Sequence, residues 1–498
     1  MAAWADGVNN DVSNVNLIRN KEESTWKNLS IYRVPEYMVH DASRAMYRPQ
    51  VVSIGPYHHG EAHLKPMEES KRRALVHMLA AAGDTRRRDV RRYMGQLKRL
   101  LRDLMSCYEQ LDPRWEEENG ENFLQVMLLD GVFLLEVLRR NHSMYAPSDP
   151  IFSEQRQPSI IEYIKRDMLM LENQLPFLVL EKLAAVFTGD SPAAVNQHLN
   201  RLLFKFFFPN REPTYMGPGK HILDVLRQSM IQSPEQSILK TPSVVQQLTI
   251  ASPGSSPNWL VMAPTQALNL LARCMGYKSP APVLPLSADN FRVPTFSSSR
   301  SATALCHAGI DFKGKESGGI RDIVFDEGKL QLRLPTITID HIAEATFLNF
   351  ILFEQLHLKE GRLVSSYFLF MGSIVTTPED VAILEEKKII ECSGVCNHTV
   401  VEIIKNLTRG LSFHRKDALY QIHRQLNDYY GVSEKMCRRR VDRWHMKLCD
   451  TYFESPWSII KLIAGVVILS ATVIATCYSA LSFYRPGLPV GTPRSSQP

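Results

Sequence analysis

Residues 462–484 read LIAGVVILSATVIATCYSALSFY, a run without a single charged side chain. At a rise of about 1.5 Å per residue, a helix of this length crosses a hydrocarbon core of roughly 30 Å. A buried core helix is the alternative, but such a helix usually carries a polar face, and this run offers little beyond Ser, Thr and one Cys. The sequence therefore predicts one transmembrane helix, which with its flanks covers 456–484. Its spanning positions include Leu462, Gly465, Ile468, Val473 and Tyr484.

The residues around this run predict how the chain is oriented. Trp457 and Lys461 precede it and Arg485 follows it, and these residue types favour membrane interfaces. Basic residues are concentrated before the run and are scarce in the short polar tail, 485–498, so the positive-inside rule places the large N-terminal part in the cytosol. The first residues contain no apolar run that could act as a signal peptide. We expect a single-pass protein with a C-terminal anchor, in either the plasma membrane or an endomembrane.

Two features test this orientation. Asn-x-Ser/Thr triplets are frequent by chance, but they are glycosylated only in a secretory compartment. The chain has four of them, at Asn28, Asn141, Asn397 and Asn406. Its eight Cys are scattered without the spacing of a disulfide framework, which fits reduced thiols in the cytosol.

The composition predicts a globular body. The chain has 44% hydrophobic and 22% charged residues, and about 460 residues precede the apolar run, enough for one large or several ordinary domains. The net charge of +6 is modest, and part of it lies beside the apolar run, where it could attract anionic lipid headgroups. We therefore expect the lipid bilayer as one partner, and we do not expect a nucleic acid.

Helical periodicity dominates most of the chain. Residues 1–27 are polar and are expected to be a mobile N-terminus, and 28–455 form the main helical domain. Within it, 231–300 is rich in Pro and Ser and reads as an irregular, variable insertion. Alternation at 330–334, with 321–325 as its partner, predicts a short β-hairpin. The fold class is therefore mainly α: a large helical domain with a short β-hairpin element and one C-terminal transmembrane helix. Its predicted helices cover 70–82, 84–111, 122–140, two segments within 159–187 divided near Pro176, 341–356, 377–390, 397–411 and 418–453.

The densest cluster of candidate ligands is the loop that contains Tyr57, His58, His59, Glu61 and His63. Three imidazoles and a carboxylate could hold a transition metal, but ligands this close together in one loop rarely set a closed geometry by themselves. A turn that is capped by polar side chains is the favoured interpretation, so no metal is predicted. The loop is kept as a candidate functional loop.

Three other patterns favour structural interpretations. Cys392, Cys396 and His398 resemble part of a zinc site but lack a second ligand pair, so we expect a turn between two helices. The basic run 86–102 has no interleaved aromatic residues and reads as a solvated helix face. The amides of Asn173 and Gln174 are expected to satisfy buried backbone groups.

Catalytic signatures are missing from the sequence. It contains no nucleophile elbow, no Walker A loop, no zinc-protease motif and no dinucleotide-binding glycine pattern. We therefore predict a protein that is not an enzyme and that needs no cofactor.

Several segments, in the same order along the chain, resemble a plant family known as domain of unknown function 247. The similarity covers roughly 28–484 and is weakest over 231–300. It implies a mostly helical, membrane-anchored plant protein without established catalytic activity, and some grass members of this family are implicated in self-incompatibility between pollen and stigma. The matching segments are IYRVP (31–35), PQVVSIGPYHHG (49–60), MEESK (67–71), DGVFLLE (130–136), DMLMLENQLPF (167–177), HILDVLR (221–227), AGIDFK (308–313), LN (348–349), FEQ (353–355) and PW (456–457).

Three functional hypotheses follow. The first is a membrane-anchored recognition or signalling protein that presents a surface to an unidentified protein partner, with 231–300 as its specificity region, in a self-incompatibility-like, stress or developmental role. The second is an enzyme of unrecognised type, in which the loop around His58 and Glu172 share a pocket. The third is a scaffold or tether at an organelle membrane.

Overall fold

The computed structural model describes residues 2–82, 85–139, 144–153, 158–209, 219–232, 300–315, 318–357, 361–414, 417–431 and 456–484. The chain divides into two units, Met1–His423 and Arg424–Pro498. The fold is mainly helical with small sheets of two or three strands, which confirms the predicted fold class at that level. The predicted variable insertion and the polar tail lie almost entirely outside the described residues, and so does the predicted helix 418–453 beyond residue 431.

Ten α-helices lie in the described residues of the first part of the larger unit. The first two lie where a mobile terminus is predicted, and that mobility stays a prediction. The helices are α1 Ala2–Ser13, α2 Val15–Asn28, α3 Pro66–Ala81, α4 Val90–Lys98, α5 Leu101–Met105, α6 Glu121–Arg139, α7 Pro158–Asp167, α8 Phe177–Thr188, α9 Pro192–Phe207 and α10 Ile222–Ile231.

Helix α6 is the centre of this part of the fold. Fourteen of its nineteen residues are buried, and it packs against α3, α4, α8 and α9. A helix whose apolar residues lie on most of its sides must be surrounded by other elements, and the sequence of α6 has this character. At Gly131 the lack of a side chain lets α8 approach closely, because a Cβ there would lie 2.5 Å from a methyl of Leu183.

The predicted helix over 84–111 is divided in the structure. The Asp89 carboxylate accepts the backbone N–H of Arg91 at 2.9 Å and begins α4, which ends at Lys98. After α5 the chain stops being helical because the Cys107 carbonyl accepts the N–H groups of Ser30 and Ile31. Pairing with a distant segment therefore replaces the last helical turn that the periodicity predicts.

The strands form two small sheets. They are β1 Asp311–Lys315, β2 Val324–Asp326, β3 Gln331–Pro335, β4 Ile337–Ile339 and β5 Ile390–Cys392. Strand β3 pairs antiparallel with β2, as the predicted hairpin requires, and parallel with β1. Strand β4 pairs in parallel with β5. At the position of β5 the sequence predicts the end of a helix and a turn instead of a strand.

The second helical group packs behind these sheets. Helix α11 is Ala302–His307, α12 is Ala343–Leu356, α13 is Leu363–Ile374, α14 is Pro378–Glu386 and α15 is Asn397–Thr408. Helix α12 contacts α10, α13 and α15, and ten of the twelve residues of α13 are buried. Helix α13 has no predicted counterpart, because a segment that is apolar throughout has no helical period to detect.

The C-terminal helix, α16, is Pro456–Tyr484. Among the described residues, no single helix is both long and apolar enough to cross a membrane. The apolar stretch of α16 that the structure describes in full, Ala464–Ser479, is shorter than a membrane span. Helices α13 and α14, which are bent by 112° relative to each other, are together long and apolar enough for a broken span, by length and composition only.

Candidate functional site

The loop that the sequence singles out is buried at Tyr57 and His58 and exposed at His63. His58 is only 4% exposed and lies between two carboxylates. Its Nδ1 is 2.7 Å from Oε1 of Glu61, and its Nε2 is 3.4 Å from Oε2 of Glu172. Because Glu172 also accepts the backbone N–H of Val34 at 2.7 Å, these contacts fasten the loop to a distant part of the chain.

The two carboxylates determine the charge of His58. Burial alone lowers the pKa of His58, but the contacts with Glu172 and Glu61 outweigh it, so its pKa is raised above the ordinary 6.5. Burial alone raises the pKa of Glu172, but His58, the Val34 N–H and the charge of Arg33 lower it further than burial raises it. The contact therefore favours a charged imidazolium beside a carboxylate.

The other side chains of the loop each have a separate neighbour. The Tyr57 hydroxyl donates to the Glu109 carbonyl at 2.5 Å, and the Tyr57 ring lies 3.7 Å from the Arg33 guanidinium. The His59 ring packs edge-on against Trp115. The Nε2 of His63 lies 3.2 Å from the Pro49 carbonyl oxygen. Over the described ranges, no three His, Cys, Asp or Glu side chains are grouped in a way that could hold a metal ion.

The backbone of this loop is bound by buried polar side chains from later segments. The Asp167 carboxylate accepts the N–H groups of residues 50–52, at 2.7 to 3.0 Å. The Asn173 Oδ1 accepts the Ile54 N–H at 2.7 Å, and its amide donates to the Val52 carbonyl. Since the Gln174 amide also donates to two backbone carbonyls, both amides do what the sequence predicts.

A buried ammonium completes this polar core. The Lys71 Nζ is fully buried and lies 2.6 Å from Oδ1 of Asp130, 2.6 Å from Oε1 of Glu68 and 3.0 Å from the Ser53 Oγ. The second oxygen of Asp130 accepts the Gly55 N–H at 2.8 Å. The side chains that could do chemistry here are therefore engaged in holding the loop.

The Cys396 region lacks a second ligand group among the described residues. Cys396 is exposed, and its Sγ lies 3.1 Å from the Thr399 Oγ1 at the start of α15. Cys392 lies on β5, so the predicted turn between two helices is in fact a strand followed by a turn. Of the Asn-x-Ser/Thr triplets, Asn28 is exposed at the end of α2, whereas the Asn406 amide donates to Glu344 from within α15. Asn141 lies outside the described residues.

A large groove lies elsewhere, between α3, α4 and the first half of α6. Its cavity volume is about 920 Å³. Its apolar lining comes from Leu75 of α3, Met94 of α4 and the buried Leu124 and Leu128 of α6, which we take as its floor. Its rim is charged, with contributions from Glu69, Arg72, Arg91, Lys98, Glu118 and Glu121.

Three consecutive residues in the left-handed region close one end of the groove. Glu118, Asn119 and Gly120 have φ angles of 51°, 56° and 74°. Such a conformation is unfavourable for residues with a Cβ and persists only where the surrounding structure holds it. It turns the chain into α6 and places Glu118 on the groove rim.

Sequence reasoning does not find this groove. Arg91 and Lys98 belong to the basic run that reads as a solvated helix face, and both are indeed exposed. The apolar floor is recognisable in the sequence only as part of a buried helix. Three helices that are separated along the chain form the groove, so no local pattern indicates it.

Comparison with known proteins identifies the class as a plant protein of unknown function. The chain belongs to the DUF247 family, whose match covers residues 31–471. It is similar to the UPF0481 protein At3g47200 of Arabidopsis thaliana, with 29% identity over 481 residues, 93% of this chain and 88% of that protein. It is also similar to the Arabidopsis UPF0481 protein At3g02645, with 23% identity and 92% of each chain covered. No solved structure matches the chain.

Proposed function

We propose that this protein is a membrane-anchored, non-enzymatic recognition protein that binds a protein partner through the groove between α3, α4 and α6. The observation that carries the proposal is the groove itself, which combines an apolar floor, a charged rim and a volume of about 920 Å³. Concave apolar surfaces with a few polar groups at the edge are where proteins bind other molecules.

The state of the histidine loop supports a binding role over a catalytic one. His58 contacts two carboxylates, and Lys71 contacts Asp130 and Glu68, so these side chains hold the fold together. A catalytic nucleophile or base needs access to a substrate, and Ser53, the hydroxyl nearest to Lys71, is 1% exposed. The loop remains a candidate functional loop, with a structural role as the favoured interpretation.

The anchor is proposed from α16. The helix has 29 residues, and its sequence over 462–484 carries no charge. Protease treatment of sealed plant membranes tests this part: we expect the body to be digested and to carry no glycan. A protected and glycosylated body would contradict the cytosolic orientation. A self-incompatibility role, which is implied for some grass members of the family, would use the groove between α3, α4 and α6 as its recognition surface.

A photo-crosslinking amino acid in the full-length chain tests the groove. Gly95 lies on the groove wall, and a Cβ added there would have no neighbouring atom within 4 Å. Val76 of α3 is 59% exposed and lies outside the groove, so it is the matched control position. We expect a discrete crosslinked partner from position 95 and none from position 76. Equal crosslinking from both positions, or none from position 95, would overturn the proposed binding surface.

A further inference from the structure

We propose that the groove binds an amphipathic helix of a partner protein, with basic residues in its first turn and acidic residues in its last turn. The inference rests on the proposed function and adds the chemistry and the direction of the partner. It is carried by the apolar floor, by the direction of the helices that form the walls, and by charges on the rim.

The dimensions of the groove suit a short helix. Along α3 the lining residues extend from Glu68 to Leu75, and along α4 from Val90 to Lys98. At about 1.5 Å per residue, each wall is roughly 10 to 12 Å long, which matches about two helical turns. Two or three apolar side chains of an amphipathic helix, spaced three or four residues apart, would reach the floor at Leu124 and Leu128.

Helix α3 runs in the same direction as α6. The Lys71 ammonium pairs with Asp130, and further along α3 the His77 ring packs against Tyr145, whose hydroxyl donates to Glu136. Later positions of α3 therefore lie beside later positions of α6.

Helix α4 runs in the opposite direction. Arg87, just before α4, donates to the Phe187 carbonyl at 2.8 Å, and the guanidinium of Arg139, the last residue of α6, lies over the Phe187 ring. At the other end, a Cβ on Gly120 would lie 2.8 Å from Leu101. The end of α4 therefore lies beside the start of α6.

These directions divide the rim charges between two ends. The acidic end, at the start of α6, contains Glu118 and Glu121, and these two carboxylates outnumber the one ammonium there, Lys98. The basic end, further along α6, contains Arg72 and Arg91, and these two guanidinium groups outnumber the one carboxylate of Glu69, three residues before Arg72 on α3.

The rim charges are available to a partner. Within the part of the chain that the structure describes, Arg72, Arg91, Glu69 and Glu121 form no ion pair, whereas Glu68 is already paired with Lys71. A bound helix would complement both ends. Its positively polarised N-terminus would lie at the acidic end and its negatively polarised C-terminus at the basic end. Basic and acidic side chains in those same turns would strengthen this orientation.

Two stapled peptides of about 10 residues, roughly three turns each, test the inference, because their first and last turns would then lie at the two ends of the groove. They share the same apolar face. One carries Lys in the first turn and Glu in the last, and the other has these charges exchanged. The staple is needed because the first charge order weakens an isolated helix, so matched helicity must be confirmed by circular dichroism. Binding is measured by fluorescence anisotropy with the full-length chain in nanodiscs.

We expect the first peptide to bind about fivefold more tightly at low salt, as several exposed ion pairs would give. Reversing the basic end, with Arg72→Glu and Arg91→Glu together, should remove or invert this preference. Gly95→Trp should weaken both peptides by roughly tenfold or more, because the indole occupies the groove. The control Val76→Trp, which adds the same indole to α3 outside the groove, should leave both affinities unchanged.

Equal binding of the two peptides, or binding that survives Gly95→Trp, overturns the inference. Self-association of the chain that is lost in Gly95→Trp would also overturn it, since a second copy would then be the occupant. Failure of the proposed function is separate: it requires that the cellular crosslink from the groove be absent. A crosslinked partner together with non-discriminating peptides would therefore refute the helix and its direction and leave the binding surface in place.

Discussion

The buried Lys71 gives the sharpest test of the polar core under the loop. Replacing it by Met keeps most of the side-chain volume but removes the ammonium. Asp130, which is 1% exposed, then remains as a buried carboxylate. It loses the contact with Lys71 and keeps the hydrogen bond from the Gly55 N–H. Breaking a buried ion pair by removing one partner costs about 3–5 kcal/mol. We expect Lys71→Met to lower the free energy of unfolding by that amount.

A second substitution tests the reason for that loss. Asn at position 130 carries no charge, yet its oxygen can still accept the Gly55 N–H, so Asp130→Asn alone should cost about 2–3 kcal/mol. In the double variant no buried charge is left unpaired, because Glu68 is partly exposed and can be hydrated. The double variant should therefore be more stable than the sum of the single effects predicts, by about 2 kcal/mol or more.

Urea unfolding of the full-length chain in mild detergent, followed by far-UV circular dichroism, measures these differences. Lys98→Met is the matched control: Lys98 is exposed on the groove rim, and its loss should change the free energy by no more than about 0.5 kcal/mol. Additive effects of the two core substitutions, within about 0.5 kcal/mol, would refute the pairing as the source of the stability.

Three further predictions concern single residues. His58→Gln should lower the free energy of unfolding by about 1.5–3 kcal/mol near pH 5.5. The raised pKa of His58 stabilises the fold below pH 6.5, and this contribution is lost as the pH rises through the pKa of the folded state, whereas the lowered pKa of Glu172 contributes stability above pH 4.5. The urea midpoints of the variant and the wild type should therefore converge at alkaline pH. Gly55→Ala should cost about 2–4 kcal/mol by the same assay, since φ is +81° and the new Cβ would lie 2.6 Å from the Gln174 carbonyl oxygen, and an unchanged midpoint would contradict this. Gly95→Ala should raise stability by about 0.5–1 kcal/mol, and a loss would show that the middle of α4 is not helical.

Local patterns predict the elements whose stabilising contacts are themselves local or periodic. The sequence places α6 at 122–140, and the structure has it at Glu121–Arg139. It also finds the β2–β3 pair, because short hairpins carry alternation and turn residues in one segment. Strand β5 is missed, since three residues that pair in parallel with β4, far back in the chain, give no periodic signal.

The candidate site divides in the same way. The functional role of the loop at 57–63 stays a prediction, whereas the amides of Asn173 and Gln174 correctly indicate buried backbone partners. The second hypothesis places Glu172 beside the loop, and the structure brings Glu172 within 3.4 Å of His58. The sequence does not indicate that Asp130 meets Lys71, because that contact depends on how distant helices pack. The groove is missed for the same reason, as its floor and walls come from three separate helices.

The most direct test of the proposed function places the photo-crosslinking amino acid at position 91, on the groove rim, in two backgrounds of the full-length chain in plant cells. Gly95→Ala leaves the groove open, and Gly95→Trp fills it without a clash at the Cβ. A binding groove predicts a discrete crosslinked partner in the Gly95→Ala background and its loss in the Gly95→Trp background, at equal protein levels. A crosslinked partner that is unchanged by the Trp substitution would contradict the groove as the recognition surface.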